Sequence, residues 1–160
     1  MSDDLTTLIA QIEEQEQHLV FPRFDEAEAW ELGSLLVRLA TERRLPVAID
    51  IRRGEQQLFH AALPGATADN DAWIQRKVRV VYRFGASSFL VGRRLAAKGQ
   101  TLGAELGVDP ALFAAHGGAF PVRVSGAGVI GVVTVSGLPQ AQDHALVVEA
   151  LEQRIGSAAR

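Results

Sequence analysis

Apolar residues recur at helical spacing near the start of the chain, with acidic residues on the remaining face. The segment from Leu5 to near His18 is therefore predicted to be an amphipathic helix. A second helix is predicted from an N-cap at Asp25 to about Arg43, because its apolar positions form a wide stripe. Pro46, which has no amide proton to donate, ends that pattern.

Beyond Pro46 the pattern changes to an alternation of period two. Residues 47–52 alternate between apolar and more polar side chains, which predicts a strand with one face more apolar than the other. Gly54 lies in the short segment that follows and can adopt the positive φ of a tight turn. Residues 56–62 are then predicted to return as the partner strand of a hairpin.

Helical spacing resumes in the middle of the chain. Polar capping residues and a glycine stop predict one helix over about 69–84, and serines restart a second helix over about 87–98. Asp109-Pro110 is typical of an N-cap followed by a proline in the first turn. This pair predicts a short helix closed by Gly117-Gly118.

The last third of the chain combines two strands with a helix. Residues 120–125 and 129–135 are predicted strands, and the second is apolar on both faces, as expected of a central strand. A final helix is predicted from Pro139 onward. The fold class is therefore predicted as α+β (α/β in the broad sense): one domain over residues 1–160, with a largely antiparallel sheet of about four to five strands flanked by helices.

Composition excludes several classes of protein. The chain has no cysteine, which rules out disulfides, thiolate nucleophiles and thiolate-ligated metals. A net charge of −3 argues against a nucleic-acid partner, which normally requires a basic excess. No apolar run approaches the length of a membrane span, and the acidic N-terminal segment does not resemble a signal peptide. We therefore expect a cytoplasmic protein with neither a nucleic-acid nor a membrane partner.

The histidines are the first candidates for metal or acid–base chemistry. None of the four is spaced as HxH or HxxxH, so classical zinc spacing is missing and the question of a metal stays open. His18 and His144 are interpreted as surface residues, and His60 as a hydrogen-bonded, partly buried strand residue. His116 is the strongest candidate, because it directly precedes Gly117-Gly118, where the backbone can approach a ligand closely.

A basic stripe on the predicted helix 69–84 has two interpretations. Arg76, Arg79 and Arg83 fall at i, i+3 and i+7, Lys77 lies beside them, and Arg93, Arg94 and Lys98 extend the stripe. It could be an anion site, since guanidinium groups match carboxylates and phosphates. The commoner alternative is a solvated face, or a partner of the acidic first helix in the same or another subunit.

Other chemical motifs are weak. The glycines match neither a phosphate loop nor a dinucleotide fingerprint, and no serine lies in a nucleophile elbow. Ser136-Gly137 before the last helix offers at most a weak anion cradle. Four aspartates are interpreted as turn or cap residues rather than as a paired carboxylate site: Asp50, Asp69, Asp71 and Asp143.

Two segments resemble the HbpS-like, or haem-degrading domain, family, which includes GlcG-type proteins and the C-terminal domain of PduO-type proteins. The wider family's glycine and acidic pattern falls on Gly117, Gly118, Pro121, Gly128, Gly131, Val135, Ser136, Gly137 and Asp143. The pattern of its uncharacterised branch falls on Phe59, His60, residues 69–74, Arg76, Lys77, Arg83, Phe84, Ser87 and Ser88. The resemblance to this branch covers nearly the whole chain.

The resemblance implies a profilin-like sandwich with an antiparallel sheet and assembly into a symmetric homo-oligomer. Some relatives bind haem and some are reported to degrade it, but their iron ligands differ, so no ligand is carried over by motif. The cofactor is accordingly unknown, with haem as the possibility that the resemblance raises.

Three functional hypotheses follow from the sequence and the resemblance. The first is a non-enzymatic oligomer that binds a small, planar, anionic ligand such as haem. The second is a scaffold without a small ligand, and the third is a haem-degrading enzyme that takes electrons from outside, since no flavin or nicotinamide fingerprint is present. The residues assigned to ligand binding in the first hypothesis are His60, Arg76, Lys77, Arg83, His116, Gly117 and Gly118.

Overall fold

A five-stranded sheet with helices on both faces organises the chain, in a computed structural model that describes residues 3–158. The helices are α1 (Asp3–His18), α2 (Glu26–Glu42), α3 (Ala68–Phe84), α4 (Ser88–Ala97) and α5 (Gln140–Ala158). The strands are β1 (Val20–Phe21), β2 (Ala48–Arg53), β3 (Gln56–Ala62), β4 (Ala119–Val124) and β5 (Gly128–Ser136). A single 3₁₀ turn at Ala104–Leu106 completes the elements assigned within these residues.

The sheet is mixed, in the order β1-β4-β5-β2-β3. Its four longer strands pair antiparallel, as predicted, and β5 lies between β4 and β2, as its two apolar faces predicted. The prediction missed β1, which pairs with β4 in parallel. Since β1 has only two residues, it carries no alternation from which a strand could be predicted.

Each face of the sheet is covered by different helices. Helices α2 and α5 pack on the face that carries Ile49, Ile51, Val133 and Val135. Helix α3 packs on the opposite face, against the smaller side chains of β2, β4 and β5. Helices α1 and α4 pack against each other in a further cluster around Phe89. The predicted apolar face of the 47–52 strand is therefore confirmed, and α3 is placed directly over the central strands.

The predicted short helix between Asp109 and Gly117 is wrong. The chain forms one turn, in which the Asp109 carbonyl accepts from the Leu112 amide at 2.9 Å, and then continues without helical structure. Guanidinium groups from α3 bind the carbonyls that a longer helix would use. Arg76 Nη2 donates to Pro110 O at 2.9 Å, and Arg79 Nη1 donates to Leu112 O at 2.9 Å. The basic stripe thus fastens this loop against α3.

The surface interpretation of His144 is also wrong, because its side chain is buried. The imidazole packs against the rings of Phe89 and Phe120, with centroids 4.8 and 5.8 Å away. Its Nε2 lies 2.7 Å from Gln15 Oε1, and its buried Nδ1 has no hydrogen-bond partner among the described residues. Burial lowers the pKa of His144 to about 4, so the imidazole is neutral in the folded protein at neutral pH.

His144 is expected to make stability depend on pH. Its folded pKa of about 4 lies below the ordinary value of 6.5, so the unfolded chain binds the additional proton between these values. Stability is therefore fully present above pH 6.5 and falls as pH drops towards about 4, by about 3 kcal/mol from this residue. Urea unfolding across this range, compared with His144→Leu, measures the effect. Asp143 titrates in both proteins and cancels in the difference; equal pH slopes would contradict the expectation.

Candidate functional site

Two concavities meet at His116, which lies between the loop after α4 and the start of β4. The first, called the Lys77 pocket here, lies towards α5 and has a volume of about 270 Å³. Its lining residues are Asn70, Trp73, Lys77, His116, Ser136, Gly137, Leu138, Gln140 and Asp143. Three elements therefore each form one wall of the pocket, namely helix α3, the end of β5 and the first turns of α5.

Lys77 and Asp143 form a buried pair in this pocket. The lysine is 3% exposed and the aspartate 1% exposed, and their Nζ and Oδ2 atoms are 3.3 Å apart. Lys77 Nζ also lies 3.5 Å from Val135 O. Asp143 accepts from the amides of Leu138, at 3.0 Å, and Gly137, at 3.4 Å. The pair therefore joins α3 to the end of β5 and the start of α5.

Burial dominates the electrostatics of this pair. It lowers the pKa of Lys77 despite the opposing effect of Asp143. Burial likewise raises the pKa of Asp143 to about 6, against the effects of Lys77 and of the two backbone amides. Both groups are thus shifted towards their neutral forms.

Gly117 and Gly118 allow β4 to begin directly beside the pair. Gly118 has a φ of +139°, and a Cβ there would collide with Val135 O and lie 2.8 Å from Lys77 Nζ. The Gly117 amide donates to Gln140 Oε1 at 3.0 Å. The close approach that these glycines permit therefore brings the start of β4 next to the chain's own backbone at Val135 and next to Lys77.

His116 presents an exposed imidazole at the boundary of the two concavities. Its ring lies 5.3 Å from the Trp73 ring, centroid to centroid, and none of the described residues hydrogen-bonds it. Burial lowers the pKa of His116, and the charges of Lys77, Arg76 and Arg93 lower it further. The imidazole is accordingly neutral at pH 7, with a lone pair available to a ligand.

The second concavity, called the His116 groove here, lies between α4 and the loop that precedes β4. It encloses about 320 Å³. Its lining residues are Arg76, Gly92, Arg93, Leu95, Ala96, Gln100, Thr101, Leu102, Pro110, Phe113, Ala114, Ala115 and His116. At Gly92, helix α4 touches this loop, because any Cβ there would collide with Ala115 O.

Two arginines give the groove its charge. Arg76 lies with its Cζ 4.5 Å from the centre of the Trp73 ring, and Arg93 lies with its Cζ 5.7 Å from that of Phe89. The Nε atoms of both arginines are buried and have no hydrogen-bond partner within residues 3–158. A buried donor without an acceptor is costly, so these two unpaired atoms set the groove apart from an ordinary surface.

The predicted ligand residues are distributed over three places. Arg76, Lys77, His116 and the two following glycines meet around the concavities. His60 lies outside both, and its Nε2 is 2.7 Å from Asp71 Oδ1. The predicted hydrogen bond is therefore present, but the residue is exposed rather than partly buried. Arg83 also lies outside both and donates to Leu106 O at 3.3 Å. The ligand-binding role of each of these residues stays a prediction.

The commoner interpretation of the basic stripe, as a partner of the acidic first helix, is confirmed for one residue. Arg94 binds Glu13 of the acidic first helix at 3.1 Å.

The interpretation of the aspartates as turn or cap residues holds for Asp143, which accepts the amides of Gly137 and Leu138 before α5 and is in addition buried against Lys77. It needs correction for Asp50. Asp50 is not a turn residue: it is buried in β2 and accepts from Arg52 Nε at 2.8 Å and Gln57 Nε2 at 2.6 Å.

Trp73 and Asp143 are site residues that sequence reasoning missed, and the burial of Lys77 was missed as well. A signal for the lysine was present, since Ile74, Lys77, Val78 and Val81 share one apolar face of α3 at helical spacing. A lysine in such a stripe requires a buried partner. Within residues 3–158 no cluster of three acidic or histidine side chains could hold a metal ion. Over the same range, none of the helices is both long and apolar enough to cross a bilayer.

Comparison with known proteins places the chain among uncharacterised bacterial relatives. A UPF0303 protein of Streptomyces coelicolor is 64% identical over 148 residues, which cover 92% of this chain and 94% of the relative. A UPF0303 protein of Burkholderia thailandensis is 54% identical over 155 residues, covering 97% of this chain and 94% of the relative. The similarity therefore extends over nearly the whole of both chains.

Solved structures share the same fold. The Ybr137w protein superposes with a TM-score of 0.86 at 32% identity, covering 95% of this chain and 90% of that one. A structure described as a PduOC:heme complex superposes with a TM-score of 0.66 at 18% identity, covering 81% of this chain and 93% of that one. The family model described as "Haem degrading protein HbpS-like" matches residues 24–152. The resemblance expected from the sequence is thus confirmed, and the chain belongs to the HbpS-like family.

Proposed function

We propose that this protein binds haem, or a similar planar cofactor with carboxylates, in the His116 groove, and that it acts as a binding protein rather than an enzyme. The observation that carries the proposal is the neutral, unpartnered imidazole of His116 beside two arginines with buried, unpaired Nε donors. An apolar concavity with a few convergent polar groups is the usual form of a small-ligand site.

Each part of the groove matches one part of such a cofactor. A neutral imidazole is the commonest protein ligand of haem iron, and His116 is both neutral and exposed. The guanidinium groups of Arg76 and Arg93 can pair with the carboxylates of the ligand. Leu95, Leu102 and other apolar groups of the groove offer contact to the macrocycle.

The comparisons support this choice of ligand. The matching family model is described as a haem-degrading protein, and one structural neighbour was solved as a haem complex. The proposed ligand set is narrower than the sequence implied. His116 and Arg76 remain, and Arg93 is added. The predicted residues left out, because they do not line the groove, are His60, Lys77, Arg83, Gly117 and Gly118.

Homo-oligomeric assembly is part of the proposal. Strand β3 is an edge of the sheet, and no strand among residues 3–158 pairs with its outer side, which leaves that side for pairing with a second copy. Beside it, Trp30 is 63% exposed and packs edge-on against Phe59 at 5.6 Å between centroids. An exposed aromatic next to a free strand edge is typical of an interface. The profilin-like description of the sandwich, the single domain and the cytoplasmic location stay predictions.

Haemin titration tests the proposal. The wild-type protein is expected to shift the main haem absorption band, and His116→Ala is expected to weaken binding at least about tenfold, a loss of about 1.4 kcal/mol. His60→Ala and His18→Ala are matched controls, because both histidines are exposed and lie outside the groove. Equal affinities for all four proteins would overturn the assignment of His116.

The same titration separates the alternatives. A wild-type protein that leaves the haemin spectrum unchanged, together with a stable assembly, would favour the scaffold hypothesis. Bound haem that loses its absorption band with reductant and oxygen would favour the haem-degrading enzyme. Bound haem that stays intact under those conditions supports a binding protein.

A further inference from the structure

The Lys77 pocket carries chemistry that haem binding does not use. It lies on the other side of His116 from the groove, and it opens onto a buried lysine whose contacts are long. Lys77 Nζ is 3.3 Å from Asp143 Oδ2 and 3.5 Å from Val135 O. Charge-assisted hydrogen bonds are usually about 2.7–2.9 Å long, so neither contact is a tight ionic one.

A purely structural ion pair would be built differently. A buried pair offsets the cost of removing its charges from water only with short contacts and with its remaining protons satisfied. The ammonium form of Lys77 has three protons, and the described residues offer it these two long contacts. Moreover the pair borders an open pocket of about 270 Å³ rather than a filled core.

We propose that Lys77 is a nucleophile that forms a reversible imine with a small 2-oxo acid or aldehyde acid bound in the Lys77 pocket, with Asp143 transferring the protons. This goes beyond the proposed haem binding and does not depend on it. Lysine amines that are desolvated in this way serve as Schiff-base residues in proteins.

The reaction balances without any oxidant or reductant. The neutral amine attacks the carbonyl carbon, a C–N bond forms, and the carbonyl oxygen takes the proton of the Asp143 carboxyl. The nitrogen of the resulting carbinolamine returns a proton to the Asp143 carboxylate. Asp143 then protonates the hydroxyl group, which leaves as water while the C=N bond forms. Burial favours the neutral amine and the neutral acid that the first step requires.

The lining of the pocket points to a carboxylate next to the carbonyl. Asn70 Oδ1 already accepts from the Thr67 amide at 2.8 Å, and Gln140 Oε1 accepts from the Gly117 amide at 3.0 Å. Both side chains therefore have their NH₂ groups left to donate, and Ser136 adds a hydroxyl. The pocket thus offers several hydrogen-bond donors, and Asp143 is the one acidic side chain among its lining residues, which suits a ligand with a carboxylate. The volume of about 270 Å³ limits this ligand to a small compound.

Borohydride trapping in the full-length protein tests the inference, and the sequence supplies an internal control. The chain has two lysines, Lys77, which is buried, and Lys98, which is exposed. The protein is incubated with glyoxylate or pyruvate and cyanoborohydride, and the adducts are mapped by peptide mass. We expect at least about tenfold more adduct at Lys77 than at Lys98, as for an activated amine.

Variants separate chemistry from structure. Lys98→Gln is expected to keep the adduct, and Lys77→Gln to lose it. Asp143→Asn, which keeps an oxygen for Leu138, is expected to slow trapping about tenfold or more, because it cannot transfer a proton. Labelling of Lys98 equal to or above that of Lys77 in the wild-type protein would overturn the inference, whether or not a variant folds. Arg93 lines the His116 groove and not the Lys77 pocket, so Arg93→Ala is expected to weaken haemin binding and to keep the Lys77 adduct, which makes failure of one proposal distinguishable from failure of the other.

Discussion

Asp143→Ala is expected to lower the free energy of unfolding by about 3 kcal/mol, because the buried Lys77 amine would lose the nearer of its two acceptors, and a buried donor left unsatisfied costs about 1–3 kcal/mol. The amides of Gly137 and Leu138 would also lose their partly buried hydrogen bonds to the carboxylate, which contribute about 1 kcal/mol each. Urea unfolding at pH 7 measures this loss as a lower midpoint with an unchanged slope.

Two matched variants test the cause of that loss. Asp143→Asn keeps one carbonyl oxygen and is expected to lose about half as much. Adding Lys77→Met to Asp143→Ala removes the unsatisfied amine and is expected to recover part of the stability. By comparison, Arg94→Ala breaks an exposed pair with Glu13 and is expected to cost less than about 1 kcal/mol. If Asp143→Ala costs no more than Arg94→Ala, the buried pair does not hold α3 to α5.

Gly118→Ala is expected to destabilise the protein by about 3 kcal/mol or more, since a disfavoured φ and an overpacked site each cost about 1–3 kcal/mol. Gly118 has a φ of +139°, and the new methyl group would collide with Val135 O, a backbone atom of the central strand. The strand cannot move away without breaking its pairing with β2 and β4. Thermal or urea unfolding measures the loss.

Substitutions at two other glycines separate the cost of the backbone conformation from the cost of the collision. Gly85 has a φ of +69° but open space around a Cβ, so Gly85→Ala is expected to show backbone strain alone, about 1–2 kcal/mol. Gly103 has an extended φ of 178° and open space, so Gly103→Ala is expected to be nearly neutral. A cost for Gly118→Ala equal to that for Gly85→Ala would show that the collision with Val135 is relieved at no cost.

Most regular elements could be predicted from the sequence, because each is long enough for the period of its apolar residues to be recognised. The β2–β3 hairpin and the central strand β5 were predicted from alternation and from a run apolar on both faces. Strand β1 was not, since two residues have no period, and it is held by pairing with β4 rather than by its own pattern. The failed helix after Asp109 shows the same limit, because distant arginines of α3 bind its carbonyls.

The site was only partly predictable, because its residues come together from distant segments. His116 was recognised from its neighbouring glycines, but Trp73 and Arg93, which shape its surroundings, lie on other helices. The burial of His144 had a signal that was not used. His144, Val147 and Leu151 share the apolar face of α5 with Val148 at helical spacing, which places the histidine in the core.

The absorption spectrum of the ferric haem complex of His116→Gly, with and without added imidazole, tests the central claim most directly. Coordination by His116 predicts that the variant loses the wild-type band and that free imidazole, which fits the space left by the missing ring, restores it. His60→Gly, in the same experiment, is expected to keep the wild-type spectrum without imidazole. A wild-type spectrum in His116→Gly before imidazole is added would contradict haem binding through His116.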